Sequence, residues 1–336
     1  MNSQDNHFMK VAIEEAEKGD LSVYPNPKVG ALVVRKHKIL STGYHQNFGG
    51  EHAEVKAIKN LKTPVKNATL YVTLEPCAHF GKTNPCTDLI SKEIFDRVVI
   101  AAKDPNPKSL GGIEKIKSKN IKVEVGVCEK ESKDINRRFF TYFEKKRPYI
   151  ILKIASTLDG YIAEINGHSK WITNRKSRKS SHKLRSSCQA ILVGNNTLVK
   201  DNPSLTAHGT GKNPKIIIFH DEMDSILEKK VYQRDPIIIP KSKLNSNPEK
   251  NIQYILDYLY KNSYQTLLVE GGGKTISHFL DSRLFDELHI YYAPKLIGNG
   301  IPLYTGSNTI QNNLKLRIHQ IDNYSNDFKI TYLRDY

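Results

Sequence analysis

The sequence predicts an α/β protein of two domains, and three observations carry that reading. Apolar, β-branched runs alternate with helical segments along the chain, the pattern of layered α/β domains. A length of 336 residues is about twice that of an average domain. The basic stretch "EKKRP", Glu144–Pro148, breaks the alternation and sets domains of 1–146 and 147–336.

In the first domain, apolar residues at helical spacing predict a helix over Asp5–Lys18. The loop "YPNPKVG" follows, then two strands rich in Val, Leu and Ile, Ala31–Arg35 and Ile39–His45. A helix over Ala53–Asn60 and a strand over Ala68–Thr73 lead into a cysteine-bearing loop. A helix near Asp88–Phe95, the strand "RVVIAA", the turn "DPNP", a short helix and the strand "IKVEVGV" complete the domain. The second opens on "YIILKIA", a strand too apolar to face water on both sides. A helix over Arg175–Ser186 and strands "QAILVG", "PKIIIF" and "PIIIP" come next. Then follow a helix over Ile252–Lys261, strand "QTLLVE", helix Thr275–Leu284 and strand "ELHIYYAPKLI".

Apolar residues at 38% and charged residues at 26% describe a soluble globular chain and exclude a disordered one. No apolar run reaches the roughly 18 residues of a membrane span. The opening "MNSQDNHFMK" lacks the basic and apolar regions of a secretory signal, so a cytoplasmic protein without membrane partners is expected. The net charge of +16 divides as +7 and +9 between the domains, without a basic tail or dense stripe. That spread argues against nucleic acid and suits phosphorylated small molecules.

The stretch "EPCAHFGKTNPC" holds two of the four cysteines, Cys77 and Cys86. In a reducing compartment such spacing points to metal or catalysis sooner than to a disulfide. Upstream, "GEHAEVKA" places His52 and Glu54 at a predicted helix start. The order H-x-E, P-C, then Cys is the signature of zinc deaminases, in which the His and both Cys hold Zn2+ and the Glu moves protons. His52, Cys77 and Cys86 are the metal ligands on this reading, and Glu54 is the catalytic acid/base. Cys128 and Cys188 have no ligand neighbours and read as buried apolar groups. In the second domain, "LLVEGGGKTISHFL" runs an apolar strand through three glycines into a helix, a phosphate-binding signal. It matches neither a Walker loop nor a dinucleotide fingerprint, and glycines there also serve tight packing.

Eight residues separate Cys77 from Cys86, and with "PNPKVG" and "DPNP" this loop closely resembles the deaminase half of the bifunctional deaminase–reductase of riboflavin biosynthesis. "KIASTLDG", "SKWIT", "LRSSCQAILVGNNTLVKDNPSLT", "VEGGG" and "APKLIG" resemble, in order, its reductase half. The resemblance implies a cytidine-deaminase-like α/β/α domain followed by a dihydrofolate-reductase-like α/β domain. It implies a diaminopyrimidinone substrate bearing a ribosyl 5′-phosphate, then NADPH reduction of the ribosyl chain to ribityl, by a homo-oligomer, dimer or tetramer. In the deaminase half it places Asn26, His45, His79 and Lys82 at the pyrimidine, and Asp104 and Asn106 near the ribose phosphate. In the reductase half it gives NADPH to Ala155, Trp171, Thr197, Asp201, Gly272, Gly273, Lys274, Thr275 and Ile276. Substrate falls to Ser169, Arg185, Leu205, His208 and Glu270.

Two positions depart from that family's pattern. Ala207-His208 stands where x-Arg is usual, and Phe219-His220 where Asp-Ser is usual. Lys212 or Lys215 is expected to supply the missing charge. Three other readings stay open: a tRNA or nucleotide deaminase with an appended domain, a deaminase whose reductase half has decayed, and a nucleic-acid-binding protein with structural zinc.

Overall fold

The computed structural model describes residues 3–80, 84–219, 228–306 and 308–335. It divides into two compact units, Met1–Lys146 and Arg147–Tyr336.

The first unit is built on five strands: β1 (Gly30–Arg35), β2 (Lys38–Tyr44), β3 (Ala68–Leu74), β4 (Phe95–Ala102) and β5 (Lys122–Val125), in the order β2-β1-β3-β4-β5. β1 runs antiparallel to both its neighbours, while β3, β4 and β5 are parallel. Strand side chains alternate between faces, and here both faces are apolar. Val33, Leu70, Val72, Val98 and Ile100 cluster with Ala53 and Ala57 of α2 (Ala53–Lys59) and with Ile113 and Ile116 of α4 (Gly112–Lys117). Leu32, Val34, Tyr71 and Val99 pack on the other face against Phe8, Met9, Ala12 and Ile13 of α1 (Ser3–Glu17). The result is an α/β/α layering. The expected helix near Asp88–Phe95 shrinks to α3 (Cys86–Leu89), because Phe95 is fully buried and already opens β4. Two further helices, α5 (Glu129–Ile135) and α6 (Arg137–Glu144), were not anticipated; α6 buries Phe139 and Phe140 against Leu74 and Ala102.

The second unit carries an eight-stranded sheet. Its strands are β6 (Tyr149–Thr157), β8 (Ala190–Val193), β9 (Lys215–Phe219), β10 (Ile237–Ile239), β11 (Thr266–Glu270), β12 (Glu287–Ala293), β14 (Leu316–Tyr324) and β15 (Asp327–Arg334). The order is β10-β9-β8-β11-β6-β12-β15-β14, parallel from β10 to β12 and closed by an antiparallel hairpin. β7 (Tyr161–Ala163) and β13 (Ile301–Pro302) form a separate ribbon. Ile150, Leu152, Leu267 and Val269 face α9 (Pro248–Lys261) and α10 (Gly273–Asp281). Ile151, Ile191 and Leu268 face Leu184 of α7 (Arg175–Ser186) and Leu198 of α8 (Asn195–Asp201). Cys188 belongs to that core, as expected, but Cys128 is only half-buried, with its Sγ 3.8 Å from Asn6 O. Among the described residues no helix is long and apolar enough to cross a membrane.

Candidate active sites

In the first unit the three metal-ligand candidates converge. His52 caps the start of α2, Cys86 opens α3, and Cys77 lies in the loop after β3. His52 Nδ1 is 3.1 Å from Cys86 Sγ and 3.6 Å from Cys77 Sγ, and the Cys86 N–H donates to Cys77 Sγ at 3.4 Å. All three ligand atoms lie within 4.8 Å of one another, and among the described residues no other such group of His, Cys, Asp and Glu occurs. Ligands at zinc's bond lengths and a tetrahedral angle sit about 3.6 Å apart, so the donor set fits zinc with one position left for water. Hydrogen bonds from Cys86 and His52 pull the Cys77 thiol toward thiolate, the form a metal needs.

Glu54 lies in the same first helical turn, buried at 3% exposure. Burial pushes its pKa up, and His52 opposes that rise. With His52 and Cys77 it lines a cavity of about 190 Å³, together with Asn26, His45, His79, Asp104 and Asn106. His45 Nδ1 donates to Glu51 O at 3.0 Å, which leaves Nε2 to accept from Asn26 Nδ2 at 3.1 Å. Burial lowers the His45 pKa and so favours the neutral ring. Asp104 Oδ1 accepts from the Asn106 N–H at 2.8 Å; burial pushes this carboxyl up to about 6, against the bonds from Asn106 and Ser109. Lys82 lies outside the described residues. Sequence reasoning missed Glu75, which also lines the cavity and whose Oε1 accepts from Ile113 N at 3.1 Å. The adjacent "EPC" was its only signal.

In the second unit the chemistry gathers at the end of β11. Glu270 there accepts from Arg185 Nε at 2.7 Å and Nη2 at 2.9 Å, and Lys153 Nζ of β6 stands 3.8 Å away. Burial favours the neutral acid, but Arg185 and Lys153 outweigh it and hold Glu270 at about 2. Lys153 was missed, although a lysine inside the apolar run "YIILKIA" is itself a signal. Gly271 and Gly272 follow, and the Gly272 N–H donates to Thr197 Oγ1 at 3.1 Å. A Cβ at Gly194 would lie 2.4 Å from Thr275 Oγ1, and one at Gly273 would lie 2.9 Å from Pro302 O. Those two glycines are therefore demanded by packing. At Gly272 the nearest atom to a Cβ is 3.7 Å away, and the exposed Lys274 leads the first turn of α10. N–H groups at such a turn fit a phosphate-bearing nucleotide.

Some expected ligands stand otherwise. Leu205 and Ile276 are buried in the core at 2% and 1% exposure, so only their backbones can face a ligand. Trp171 is 63% exposed, with the Arg178 guanidinium 4.4 Å from its ring centre. Among the described residues no hydrogen bond ties Ser169 or Asp201 to the glycine loop, and Ala155 is half-buried on β6. His208 stacks on His182. Lys215 is paired with Asp235, and Lys212 is exposed. His220 lies outside the described residues.

Comparison with known proteins bears on both units. Residues 148–330 match the RibD C-terminal domain, and residues 2–102 the cytidine and deoxycytidylate deaminase zinc-binding region. The chain is 42% identical to riboflavin biosynthesis protein RibD of Aquifex aeolicus, over 98% of each chain. It is 35% identical to that of Bacillus amyloliquefaciens, over 97% of this chain and 95% of the other. Among solved structures it is similar to a diaminohydroxyphosphoribosylaminopyrimidine deaminase/5-amino-6-(5-phosphoribosylamino)uracil reductase of Thermotoga maritima, with a TM-score of 0.83, 38% identity and 99% of each chain covered. It is also similar to Acinetobacter baumannii RibD, with a TM-score of 0.86, 30% identity and 99% of each chain covered.

Proposed function

The chain belongs to the RibD family of bifunctional riboflavin-biosynthesis enzymes, and we propose from that membership that residues 1–146 deaminate and residues 147–336 reduce one phosphorylated substrate. The substrate is the diaminopyrimidinone ribosyl 5′-phosphate named for the Thermotoga maritima relative. The observation that carries the reading is the convergence of His52, Cys77 and Cys86 on one another, with His52 and Cys77 lining the same cavity as Glu54.

In the deaminase, His52, Cys77 and Cys86 hold zinc, which when bound supplies the Lewis acidity that makes water nucleophilic near neutral pH. Glu54 takes a proton from the attacking water and returns it to the amine, so that ring N=C–NH2 and water become HN–C=O and ammonia, the remaining proton staying on the ring nitrogen. Asn26 and the neutral His45 orient the ring, with His79 and Lys82 beside it, and Asp104 and Asn106 meet the sugar. In the reductase, Gly272, Gly273, Lys274, Thr275 and the Ile276 backbone hold the phosphates of NADPH, which supplies hydride when bound. Ala155, Trp171, Thr197 and Asp201 complete that cofactor site. Arg185, Ser169, His208, Glu270 and the Leu205 backbone position the ribosyl carbon that receives the hydride. The enzyme works in the cytoplasm as a homo-oligomer, without nucleic acid.

Zinc-loaded protein supplied with the diaminopyrimidinone is expected to release ammonia, then to oxidise NADPH. Glu54→Gln should lower ammonia release by about 10²- to 10⁴-fold while the reductase still turns over pre-deaminated substrate. Ammonia release unchanged in that variant would overturn the assignment of Glu54.

A further inference from the structure

The face of α7 that carries Arg185 also carries His182, one turn earlier. The imidazole of His182 stacks on that of His208, with ring centres 4.0 Å apart and planes 25° apart. Arg185 Nη1 donates to Thr206 O at 3.1 Å and so fastens the turn before His208 to the helix. His208 itself adopts a left-handed φ of 46°. The charged groups facing His182 are His208, Arg185 of the same helix, Glu270 at the end of β11 and Lys153 of β6. Arg185 and Lys153 against Glu270 leave one positive charge, so the histidine pair stands in a cationic neighbourhood.

Stacked on the His208 ring and close to Arg185 and Lys153, the His182 imidazole resists protonation, and Glu270 offsets those charges only in part. Burial, then His208 and Arg185, push His182 down to about 4. A dianionic oxyanion reverses the balance. It supplies acceptors for the imidazole N–H groups and cancels the charge that kept protons off. A carboxylate monoanion does so less well, which favours a phosphate monoester.

We propose that His182 and His208 form a proton-linked receptor for the phosphate of the reductase substrate, the pair taking up one proton from solvent as the phosphate binds. The inference rests on the reductase reading above and adds a residue, His182, and a pH dependence to it. No covalent bond changes; a proton moves from water to a ring nitrogen, and hydroxide is left to the buffer. Affinity for the phosphorylated substrate then falls as pH rises, by up to about tenfold per pH unit, until the loaded pair is neutral. The same compound without its phosphate shows no such fall.

The test uses the full zinc-loaded chain and NADPH, with the pre-deaminated substrate in its phosphorylated and dephosphorylated forms. KM and kcat are measured between about pH 6.5 and about pH 8.5. The expected result is a KM for the phosphorylated form that rises by roughly tenfold or more across that range, a flat KM for the dephosphorylated form, and matching kcat profiles. His208→Arg, whose charge is permanent, should flatten the rise. His182→Asn should raise KM for the phosphorylated form only. A KM that is flat with the phosphorylated form, or that rises equally with both, overturns the proposal. So does a His208→Arg variant that keeps the parent slope. Should either variant fail to fold, the two substrates compared in the parent protein decide the matter alone. Failure of the parent to oxidise NADPH with either form overturns the reductase reading, and the inference with it.

Discussion

Replacing Gly112 by alanine is expected to weaken zinc binding at the first site. A Cβ built on Gly112 would lie 1.8 Å from Pro76 O and 3.0 Å from Pro76 C. Such contacts do not close below 3.0 Å, so the carbonyl must retreat by about 1.2 Å. That carbonyl belongs to the residue before Cys77, whose bond to zinc tolerates an error of only about 0.2 Å. The helix has little freedom to yield instead, because Glu75 Oε1 holds Ile113 N at 3.1 Å. Overpacking of this kind costs about 1–3 kcal/mol. Placed on the metal site, that is roughly a 5- to 150-fold loss of zinc affinity. The assay is zinc competition against a chelator, read alongside ammonia release. Gly111→Ala is the control: Gly111 has a φ of 96° but nothing within 4 Å of its Cβ, so it incurs backbone strain of about 1 kcal/mol without pushing Pro76. NADPH oxidation should persist in both variants. Zinc affinity in Gly112→Ala within about twofold of the parent would refute the idea that the start of α4 positions Cys77.

Three further outcomes are expected. Glu270 has a folded pKa of about 2 against an ordinary 4.5, so the stability it contributes is present above about pH 5 and is lost as pH falls toward 2. The loss is on the order of 3 kcal/mol, and Glu270→Gln should flatten that part of the stability–pH curve in urea unfolding. Asp5 accepts from both Arg97 nitrogens at 2.8 Å and from Tyr71 OH at 2.7 Å, so Asp5→Asn should cost about 2–3 kcal/mol in the same measurement. Thr197→Val removes the acceptor of the Gly272 N–H and should raise KM for NADPH by roughly 5- to 10-fold; an unchanged KM would separate Thr197 from the cofactor loop.

Strands buried on both faces were legible because continuous apolar runs have few other uses. "YIILKIA" and "QTLLVE" became β6 and β11 within two residues at either end. The hairpin of β14 and β15 escaped for the opposite reason. β14 is an edge strand whose residues are half-buried or exposed throughout, so its sequence "LRIHQIDNY" carries no sustained apolar alternation. The segment Asp88–Phe95 misled because Leu89, Ile90 and Ile94 suit a helix face, whereas Phe95 was claimed by the sheet core. Tertiary burial decided what local spacing left ambiguous.

The two sites differ in legibility for a chemical reason. Zinc accepts few side chains, so His52, Cys77, Cys86 and Glu54 declare themselves by type and spacing. A nucleotide held by backbone N–H groups places little demand on identity, and Leu205 and Ile276 have their side chains in the core. Arg185 and Glu270 are the instructive pair, since each was read as a ligand for substrate while the structure shows them joined to each other. Arg185 has five N–H donors. Two engage Glu270 and a third engages Thr206 O, which leaves two for an incoming oxyanion. Only a planar fork divides its donors in this way, so Arg185→Lys keeps the charge but cannot serve Glu270, Thr206 and the substrate together. That variant should lose affinity for the phosphorylated substrate by about tenfold or more, and parent-like binding would mean that Arg185 serves the fold alone.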